Sequence, residues 1–347
     1  MDRRNFIKKS MFGGLSAGIG ISGLSSFAFP FGDEKLSRVA LTTGSERADM
    51  TFRALLPFSE QIKKDIGKRR VVLKPNLVQL KRQLATTHVG TLEGILEFLK
   101  SIKKLENVVI AESSAAGPAM NGYEHFNYLP LASKYPVKFL DLDLEGFEIV
   151  HVVNQKDLMP HKVRVSKLML DPDNYIVSVA KMKTHNTVVA TLSLKNIVFG
   201  APIKDAGFRH GADRAPAAVN DKQIVHGGGA HGINYNMFSL SDRLHPHLAV
   251  IDGFESMEGN GPNNGDPVDH RKCVASTDWL AADRVGVEVM GIDFNDIGYL
   301  NYCAKANMGI ADLNKIEIID EKISDHIHKY KLPDSIEKQM QWKIPLS

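Results

Sequence analysis

The stretch that decides the fold is Tyr175-Ile-Val-Ser-Val-Ala-Lys-Met-Lys-Thr-His-Asn186. Its first six residues are apolar except for one serine, which predicts a strand buried on both faces of a sheet. The next six residues carry Lys181, Lys183 and His185, so strong hydrogen-bond donors collect where the strand ends. In open α/β sheets that edge is where ligands bind. The stretch therefore predicts both the fold class and the place of a functional site.

Outward from this strand, short apolar strands alternate with amphipathic helices. The main predicted strands are Arg38–Thr42, Arg70–Leu73, Val108–Ala111, Leu248–Ile251 and Ile316–Ile319, and the main predicted helices are Met50–Ile66, Thr91–Lys103 and Trp279–Met290. This alternation predicts an α/β fold, with a doubly wound, mostly parallel sheet flanked by helices. We expect a single domain over residues 29–325, with room for a smaller inserted subdomain at 114–175, and a peripheral C-terminal tail over residues 326–347.

The N-terminus has the pattern of a twin-arginine export signal. Asp2-Arg-Arg-Asn-Phe-Ile-Lys8 precedes a mildly apolar stretch from Met11 to Phe27, and Ser26-Phe-Ala28 offers small residues for cleavage. The alternative is a basic segment before a core helix, but five glycines between Gly13 and Gly23 make a poor helix. We expect residues 1–28 to engage the twin-arginine translocase, with cleavage after Ala28 and a periplasmic mature protein.

Charge and composition limit the partners. The chain has a formal net charge of +3, and the predicted leader carries all of it, so the mature chain is neutral. A neutral chain does not favour nucleic acid, and no apolar run in the body is long enough for stable membrane insertion after cleavage. These features favour a small molecule as the ligand. Cys273 and Cys303 are the only cysteines, too few for an intrinsic iron–sulfur cluster, and we expect two separate thiols rather than a disulfide.

Several short motifs occur in a characteristic order. They are Val72-Leu-Lys-Pro-Asn-Leu77, Glu112-Ser113, Lys181-Met-Lys-Thr-His185, Leu194-Lys-Asn-Ile197 with Gly200, Lys204 then His210, Ile251-Asp-Gly253, Glu258-Gly-Asn-Gly-Pro262, and Ser276-Thr-Asp278 with Asp283. Together they resemble the family known as domain of unknown function 362, over roughly residues 38–312. Some members of that family carry ferredoxin-like iron–sulfur modules. This chain lacks any Cys-x-x-Cys, so the resemblance implies at most an external redox partner.

Polar side chains at the strand ends are the candidate site residues. We predict catalytic roles for His185, His210 and Lys183, anion binding by Lys74, Asn76, Lys195, Asn196, Gly259 and Gly261, and a divalent metal site at Glu112, Asp252 and Glu255. Lysine and asparagine donors suit a carboxylate or phosphate, glycine N–H groups can face an anion, and histidine is the usual proton carrier near neutral pH. If the chain after Thr187 is helical, Thr191 and Lys195 lie one turn apart on one face.

Simpler explanations exist for some of these residues. A carboxylate such as Glu112 at a strand end is often a cap or turn residue, and lysines on a surface helix are often only solvated. His226-Gly-Gly-Gly-Ala-His231 predicts either a solvent-exposed loop or a loop whose glycines approach a ligand. Two functions are left open. The first is an exported enzyme for a small anionic substrate, with redox or metal-assisted chemistry as variants; the second is a periplasmic ligand- or cofactor-binding protein without turnover.

Overall fold

The computed structural model describes residues 37–206, 208 and 218–345. The predicted leader and His210 lie outside these residues. Residues Lys35–Ser347 form one compact unit. No helix in the described part of the chain is long and apolar enough to cross a membrane.

Eleven strands occur among the described residues. They are β1 (Ser37–Thr43), β2 (Arg70–Pro75), β3 (Val108–Glu112), β4 (Val137–Asp141), β5 (Phe147–Val153), β6 (Pro160–Ser166), β7 (Asn174–His185), β8 (Val189–Thr191), β9 (Leu248–Glu258), β10 (Asp266–Ser276) and β11 (Ile316–Asp320). The α-helices are α1 (Arg47–Leu55), α2 (Ser59–Ile66), α3 (Val89–Ser101), α4 (Ala119–His125), α5 (Leu131–Lys134), α6 (Lys167–Leu170), α7 (Ser193–Val198), α8 (Lys222–His226), α9 (Gly229–Ser241), α10 (Trp279–Val289), α11 (Gly298–Lys305) and α12 (Ile336–Gln339).

Nine strands form one sheet in the order β11-β1-β10-β9-β7-β2-β3-β4, with β8 paired to the end of β7. The five neighbours β9, β7, β2, β3 and β4 run parallel to one another. β10 runs antiparallel to both of its neighbours, β1 and β9. β5 and β6 pair only with each other, as a two-stranded antiparallel sheet. The prediction of a mostly parallel α/β sheet flanked by helices is confirmed.

Apolar side chains cover both faces of the sheet. All twelve residues of β7 are buried. Val177 and Val179 pack on one face with residues of α1, α2 and α3, whereas Ala180 and Met182 pack on the other with residues of α7, α9, α10 and α11. Burial of one such valine contributes roughly 1.5–3 kcal/mol to folding. A strand apolar on both faces therefore belongs at the centre of the sheet.

Two predicted helices differ from the structure. The helix predicted over Met50–Ile66 is two α-helices, because Leu56-Pro57-Phe58 forms a 3-10 turn between them and Pro57 has no N–H to continue the ladder. The helix considered after Thr187 occurs only in its later part. Residues Val189–Thr191 form β8, which pairs antiparallel with the end of β7, and α7 begins only at Ser193.

The inserted subdomain and the C-terminal tail predicted from the sequence correspond to segments that each make their own local contacts. Within residues 114–175, the β5–β6 sheet is separate from the main one. Within the C-terminal segment, Tyr330 and Gln339 are buried, and the Gln339 Oε1 atom accepts a hydrogen bond from the Val189 N–H at 2.6 Å. That bond ties the C-terminal segment to β8. The subdomain and tail boundaries stay predictions.

Candidate functional site

A cavity of about 90 Å³ lies beyond the carboxyl ends of β2, β3 and β7. It is lined by Lys74, Asn76, Leu77, Val78, Glu112, Ser113, Ala115, His185, Lys195, Asn196, Phe199, Gly200, Lys222, His226 and Pro262. Six of these are predicted site residues, namely Lys74, Asn76, Glu112, His185, Lys195 and Asn196. Since a water molecule takes about 30 Å³ in the liquid, the cavity can hold a small polar group. We call it the first cavity.

Lys74 and Glu112 form a buried ion pair at the base of the first cavity. The Lys74 Nζ atom donates to Glu112 Oε2 at 2.8 Å and to Asn196 Oδ1 at 3.1 Å. The Glu112 carboxylate also accepts the backbone N–H groups of Leu77, at 3.1 Å, and Ser113, at 2.9 Å. Burial lowers the pKa of Lys74, and the charge of Glu112 opposes that change. The charges of Lys74 and Glu112 therefore neutralise each other.

Gly200 makes the close approach of α7 to Lys74 possible. A Cβ atom at residue 200 would lie 1.9 Å from Lys74 Cε and 2.4 Å from the Asn196 carbonyl oxygen. The Asn196 Nδ2 atom in turn donates to the Lys74 carbonyl oxygen at 3.1 Å and to Ser178 Oγ at 3.1 Å. Only glycine fits here, so the Gly200 of the sequence motif has a steric reason.

Asn76 is left with an unused acceptor. Its Nδ2 atom donates to Asn196 Oδ1 at 3.0 Å. Its Oδ1 atom is buried and has no hydrogen-bond partner among the described residues. Buried polar atoms without a partner are uncommon in folded proteins and often mark a position where a ligand or water binds. Asn76 can therefore accept a hydrogen bond from a bound molecule.

Lys195 is a buried lysine whose ammonium group has neither a counter-charge nor a hydrogen-bond acceptor among the described residues. Only 6% of the residue is exposed, and its Nζ atom has no hydrogen-bond or ion-pair partner in the described part of the chain. The Nζ atom lies 4.5 Å from the centre of the Phe199 ring. Burial, followed by the charge of Lys74, lowers the pKa of Lys195 to about 7. An ammonium group in this position can bind an anion that enters the cavity.

His185 and His226 line the first cavity and have opposite hydrogen-bonding roles at Nε2. The Thr187 N–H donates to His185 Nδ1 at 3.2 Å, so the proton of the neutral His185 ring lies on Nε2. The His226 Nδ1 atom donates to the Lys222 carbonyl oxygen at 2.7 Å, which leaves His226 Nε2 as an acceptor. Burial is the main cause that lowers the pKa of His185 well below its usual value and that of His226 to about 3. Both rings are therefore neutral near pH 7.

Lys222 adds a third lysine to the first cavity, and no sequence pattern indicated it. Its Nζ atom donates to the carbonyl oxygens of Phe199, at 3.2 Å, and Gly200, at 2.9 Å, and also to that of Pro202. Burial lowers its pKa to about 7. These bonds hold together the turn that follows α7. Lys222 therefore adds positive charge at the wall while its hydrogen bonds serve the backbone.

Ser113 links the first cavity to a second buried ion pair. The Ser113 hydroxyl donates to Asp143 Oδ1 at 2.6 Å, and the other carboxylate oxygen of Asp143 is paired with Lys204. The Lys204 N–H also donates to Asp143 Oδ1, at 3.0 Å. With its charge matched by Lys204, Asp143 contributes no net negative charge to the wall.

Lys183, predicted to be catalytic, does not line the first cavity. Its Nζ atom donates to the Ala85 carbonyl oxygen at 2.7 Å, and burial lowers its pKa well below the usual value. Its ammonium group is therefore used in holding the segment after β2. The charges of Lys195 and Lys181 lower the pKa further.

The three predicted metal ligands are engaged in different ways. Asp252 is bound by Arg47, whose Nη1 atom lies 2.5 and 2.7 Å from the two carboxylate oxygens, and Lys181 Nζ lies 3.5 Å away. Glu112 is paired with Lys74, and Glu255 is half-buried. Over the described residues, no group of three or more His, Cys, Asp or Glu side chains is arranged to hold a metal ion. The metal site stays a prediction without a matching cluster.

The predicted glycines form a turn beside the first cavity. Gly259 has φ +73°, and a Cβ atom on Gly261 would lie 2.0 Å from the Thr184 carbonyl oxygen. The Gly261 N–H donates to the Gly259 carbonyl oxygen at 2.8 Å, and the Gly259 N–H to that of Lys331 at 2.7 Å. Both N–H groups are thus used within the protein, and only the adjacent Pro262 lines the cavity.

Asp283 positions the helix that carries Lys195 and Asn196. From α10, its carboxylate accepts the Ser193 N–H at 2.7 Å and the Leu194 N–H at 3.0 Å. These are the first N–H groups of α7, so the carboxylate caps that helix. Burial nevertheless raises the pKa of Asp283 to about 7. Asp283 therefore does not line the first cavity but holds the helix that brings Lys195 and Asn196 to it.

Comparison with known proteins identifies the family. The model of the family described as "Domain of unknown function (DUF362)" matches residues 71–288, which is more than half of the chain. The chain belongs to the DUF362 family. The matched range contains every described residue of the first cavity.

One curated relative and one solved structure can be compared with this DUF362 protein. A thylakoid-associated protein of Synechocystis sp. is 26% identical over 226 residues, which are 65% of this chain. The chain spans 64% of that relative's length. The crystal structure of a Thermotoga maritima protein is 12% identical and covers 71% of this chain and 60% of the other, with a TM-score of 0.39. That similarity is too low to support an inference about fold or function.

Proposed function

We propose that this protein is an exported enzyme for a small molecule that carries a carboxylate or phosphate group. The anionic group binds in the first cavity, and Lys195 exchanges a proton with the bound molecule. The observation that carries the proposal is the ammonium group of the largely buried Lys195, which lines the first cavity and has no acceptor among the described residues. A buried charge without a partner is costly to folding. A site that keeps one is suited to binding an ion of opposite charge.

The charge of the first cavity supports an anionic ligand. Its lining contains three lysines and one carboxylate, that of Glu112, which is already paired with Lys74. Lys195 and Lys222 are therefore not neutralised by a side chain of the lining. A low-dielectric cavity with surplus positive charge strengthens its attraction for carboxylate and phosphate groups.

The pKa of Lys195 supports proton transfer. A general acid or base is most effective when its pKa lies near the ambient pH, and that of Lys195 is about 7. The ammonium group that holds the anion can give its proton to the bound molecule, and the neutral amine that results can take a proton back. His185 Nε2–H and His226 Nε2 provide a fixed donor and a fixed acceptor beside it, because their low pKa values keep both rings neutral.

A non-catalytic ligand-binding protein is the second candidate. The low pKa values of His185 and His226 favour it, since neither ring titrates near pH 7 to carry protons during turnover. In this candidate, Lys195 serves only to hold the anion. Redox and metal-assisted variants of the enzyme need an external electron partner or a bound metal, and elemental analysis of the native mature protein tests the second requirement.

Proton exchange separates the enzyme from the binding protein. Carboxylates and phosphate monoesters are first screened for those that raise the midpoint of thermal unfolding. Each ligand is then incubated with the protein in D₂O and followed by NMR for deuterium incorporation or conversion. The enzyme proposal expects such a change with the wild type and none with Lys195→Met. Ligands that bind but never change would refute turnover and leave the binding protein.

We expect the affinity for acetate to fall as the pH rises through about 7. Lys195 binds an anion only when charged, and its pKa in the free protein is about 7. Loss of one proton weakens binding by up to tenfold per unit of pH above that value. Acetate stays ionised over pH 6–9, so isothermal titration across this range reports on the protein. Lys195→Arg keeps its charge and should leave only the smaller fall due to Lys222, whose pKa is also about 7. An unchanged fall would show that Lys195 is not the group whose titration weakens binding.

Export is part of the proposal and rests on the N-terminal sequence. Changing Arg3-Arg4 to Lys-Lys should leave the protein in the cytoplasm, because the translocase requires the arginine pair. The measurement is immunodetection of the protein in cytoplasmic and periplasmic fractions, with Lys8-Lys9 changed to Arg-Arg as the matched control. Export of the Lys-Lys variant at the wild-type level would rule out the twin-arginine route.

A further inference from the structure

A second cavity, of about 340 Å³, adjoins the first one. His226 lines both cavities. The chain after β7 passes between them, since His185 lines the first cavity while Asn186 and Thr187 line the second. The His226 side chain is thus the wall that the two cavities share, and a ligand that reached both would pass along this ring.

The second cavity differs from the first in its chemistry. Helix α9 supplies Ala230 and Ile233, and the adjoining turn supplies glycines. The Gln339 side chain is already used, because its Oε1 atom accepts a backbone N–H of β8 at 2.6 Å. Among the described residues no carboxylate and one lysine, the exposed Lys338, line this cavity. The lining also contains Thr187 and Ser335, whose hydroxyls are used within the protein, with His185 Nδ1 at 2.9 Å and with the Asn186 carbonyl oxygen at 2.8 Å. Because most of its polar groups are engaged, the second cavity suits an uncharged and largely apolar group.

The His226 ring is fixed at the junction of the two cavities. Its Nδ1 atom is held by the Lys222 carbonyl oxygen at 2.7 Å, and its ring centre lies 4.1 Å from that of Phe199. The ring therefore cannot turn without losing both contacts. It presents Nε2, an acceptor, at the junction. A ligand that crosses this point can donate a hydrogen bond to His226 Nε2 if it has a hydroxyl or amide N–H near its anionic group.

Building on the proposed anion site, we propose that the ligand of this protein has two parts. A carboxylate or phosphate binds beside Lys195 in the first cavity, and an uncharged, largely apolar body lies along His226 in the second. The substrate class is thus an organic acid or phosphate monoester with a body of at least ring size. A free inorganic anion fills only part of the site.

Two matched pairs of probes test this inference. Methyl phosphate is compared with phenyl phosphate, and acetate with phenylacetate, by isothermal titration at pH 6.5. The aromatic member of each pair should bind about tenfold more tightly or better, because its ring leaves water for the second cavity. If the methyl probes bind and the aromatic probes gain nothing, the two-part ligand is overturned while the anion site stands. If none of the four probes binds, the anion site fails, and the two-part ligand fails with it.

Filling the second cavity should remove the preference for the aromatic probes. In Ala230→Phe the ratio of the two affinities should fall below about twofold, since the new ring occupies the space of the ligand body. Asn186→Phe, at an exposed lining position, is the second variant in case the first does not fold. Ala132→Phe, on the exposed side of α5 and in neither cavity, is the matched control and should keep the ratio. A full preference in a folded Ala230→Phe or Asn186→Phe protein would refute the assignment.

Discussion

Lys195→Met should make the free protein more stable and at the same time abolish its binding of anions. The ammonium group is buried with no counter-charge among the described residues, and its pKa of about 7 is far below the unperturbed 10.5. A difference of about 3.5 in pKa corresponds to roughly 5 kcal/mol. The substitution also removes the cation–π contact with Phe199, which offsets part of this energy. We therefore expect the free energy of unfolding to increase by about 2–4 kcal/mol.

The stability gained in Lys195→Met should decrease as the pH rises. Below pH 7, Lys195 is charged in both the folded and the unfolded state, so the full cost of burying the charge is present. Between pH 7 and 10.5 only the unfolded state keeps the proton, and the stability of the wild type rises relative to Lys195→Met. The gain from the substitution is therefore largest near pH 6 and shrinks towards pH 10.5.

Urea unfolding at pH 6 and pH 9, with and without acetate, measures both effects. The wild type should be protected by acetate and Lys195→Met should not. Lys100→Met, at a lysine that is 61% exposed, is the control and should change stability by less than about 0.5 kcal/mol. A destabilised Lys195→Met protein would mean that the lysine supports the fold rather than a ligand.

The fold could be predicted where local sequence decides it. β7 is apolar on both faces, so its central place follows from burial alone. The order of strands could not be predicted in the same way. β10 lies antiparallel between β1 and β9, and nothing in its own residues specifies partners so distant in the chain. β8 was missed because its three residues are held by the end of β7 and by Gln339, which is 150 positions away.

The candidate site shows the same limit. Lys74, Glu112 and His185 end neighbouring parallel strands, so the topology brings them together as the sequence predicts. Lys222 comes from a short helix that precedes Gly227-Gly-Gly229, and no pattern marks it. Asp252 lies at a strand end as predicted, but its partner Arg47 is 205 positions away. A carboxylate at a strand end cannot be read as a metal ligand until the cations around it are known.

Glu112→Gln should destabilise the protein by about 3–5 kcal/mol, because it leaves one member of a buried ion pair without its partner. Both side chains are almost fully buried, at 1% exposed for Lys74 and 3% for Glu112. In the glutamine one of the two oxygens becomes an NH₂ group, so either the Leu77 N–H or the Ser113 N–H loses its acceptor. Chemical denaturation at pH 7 gives the change in the free energy of unfolding.

Two comparisons show whether this loss belongs to the ion pair. Glu148→Gln breaks the pair of Arg243 and Glu148, whose side chains are 57% and 44% exposed, and should cost less than about 1 kcal/mol. Lys74→Met combined with Glu112→Gln removes both charges, so the double variant should be more stable than the sum of the two single changes implies. Strict additivity would show that the two side chains act independently.

The effect of Glu112→Gln on anion binding should be small, although a negative charge has been removed from the first cavity. The charge of Glu112 opposes the lowering of the Lys74 pKa by burial. Without the carboxylate, the lysine loses its proton more readily. In the wild type the charges of Lys74 and Glu112 cancel, and in the variant both side chains are neutral. The net charge at these two positions is therefore zero in both proteins, and Lys195 still binds the anion. If the acetate affinity instead rises tenfold or more, Lys74 has kept its charge and is itself an anion ligand, as the sequence predicted.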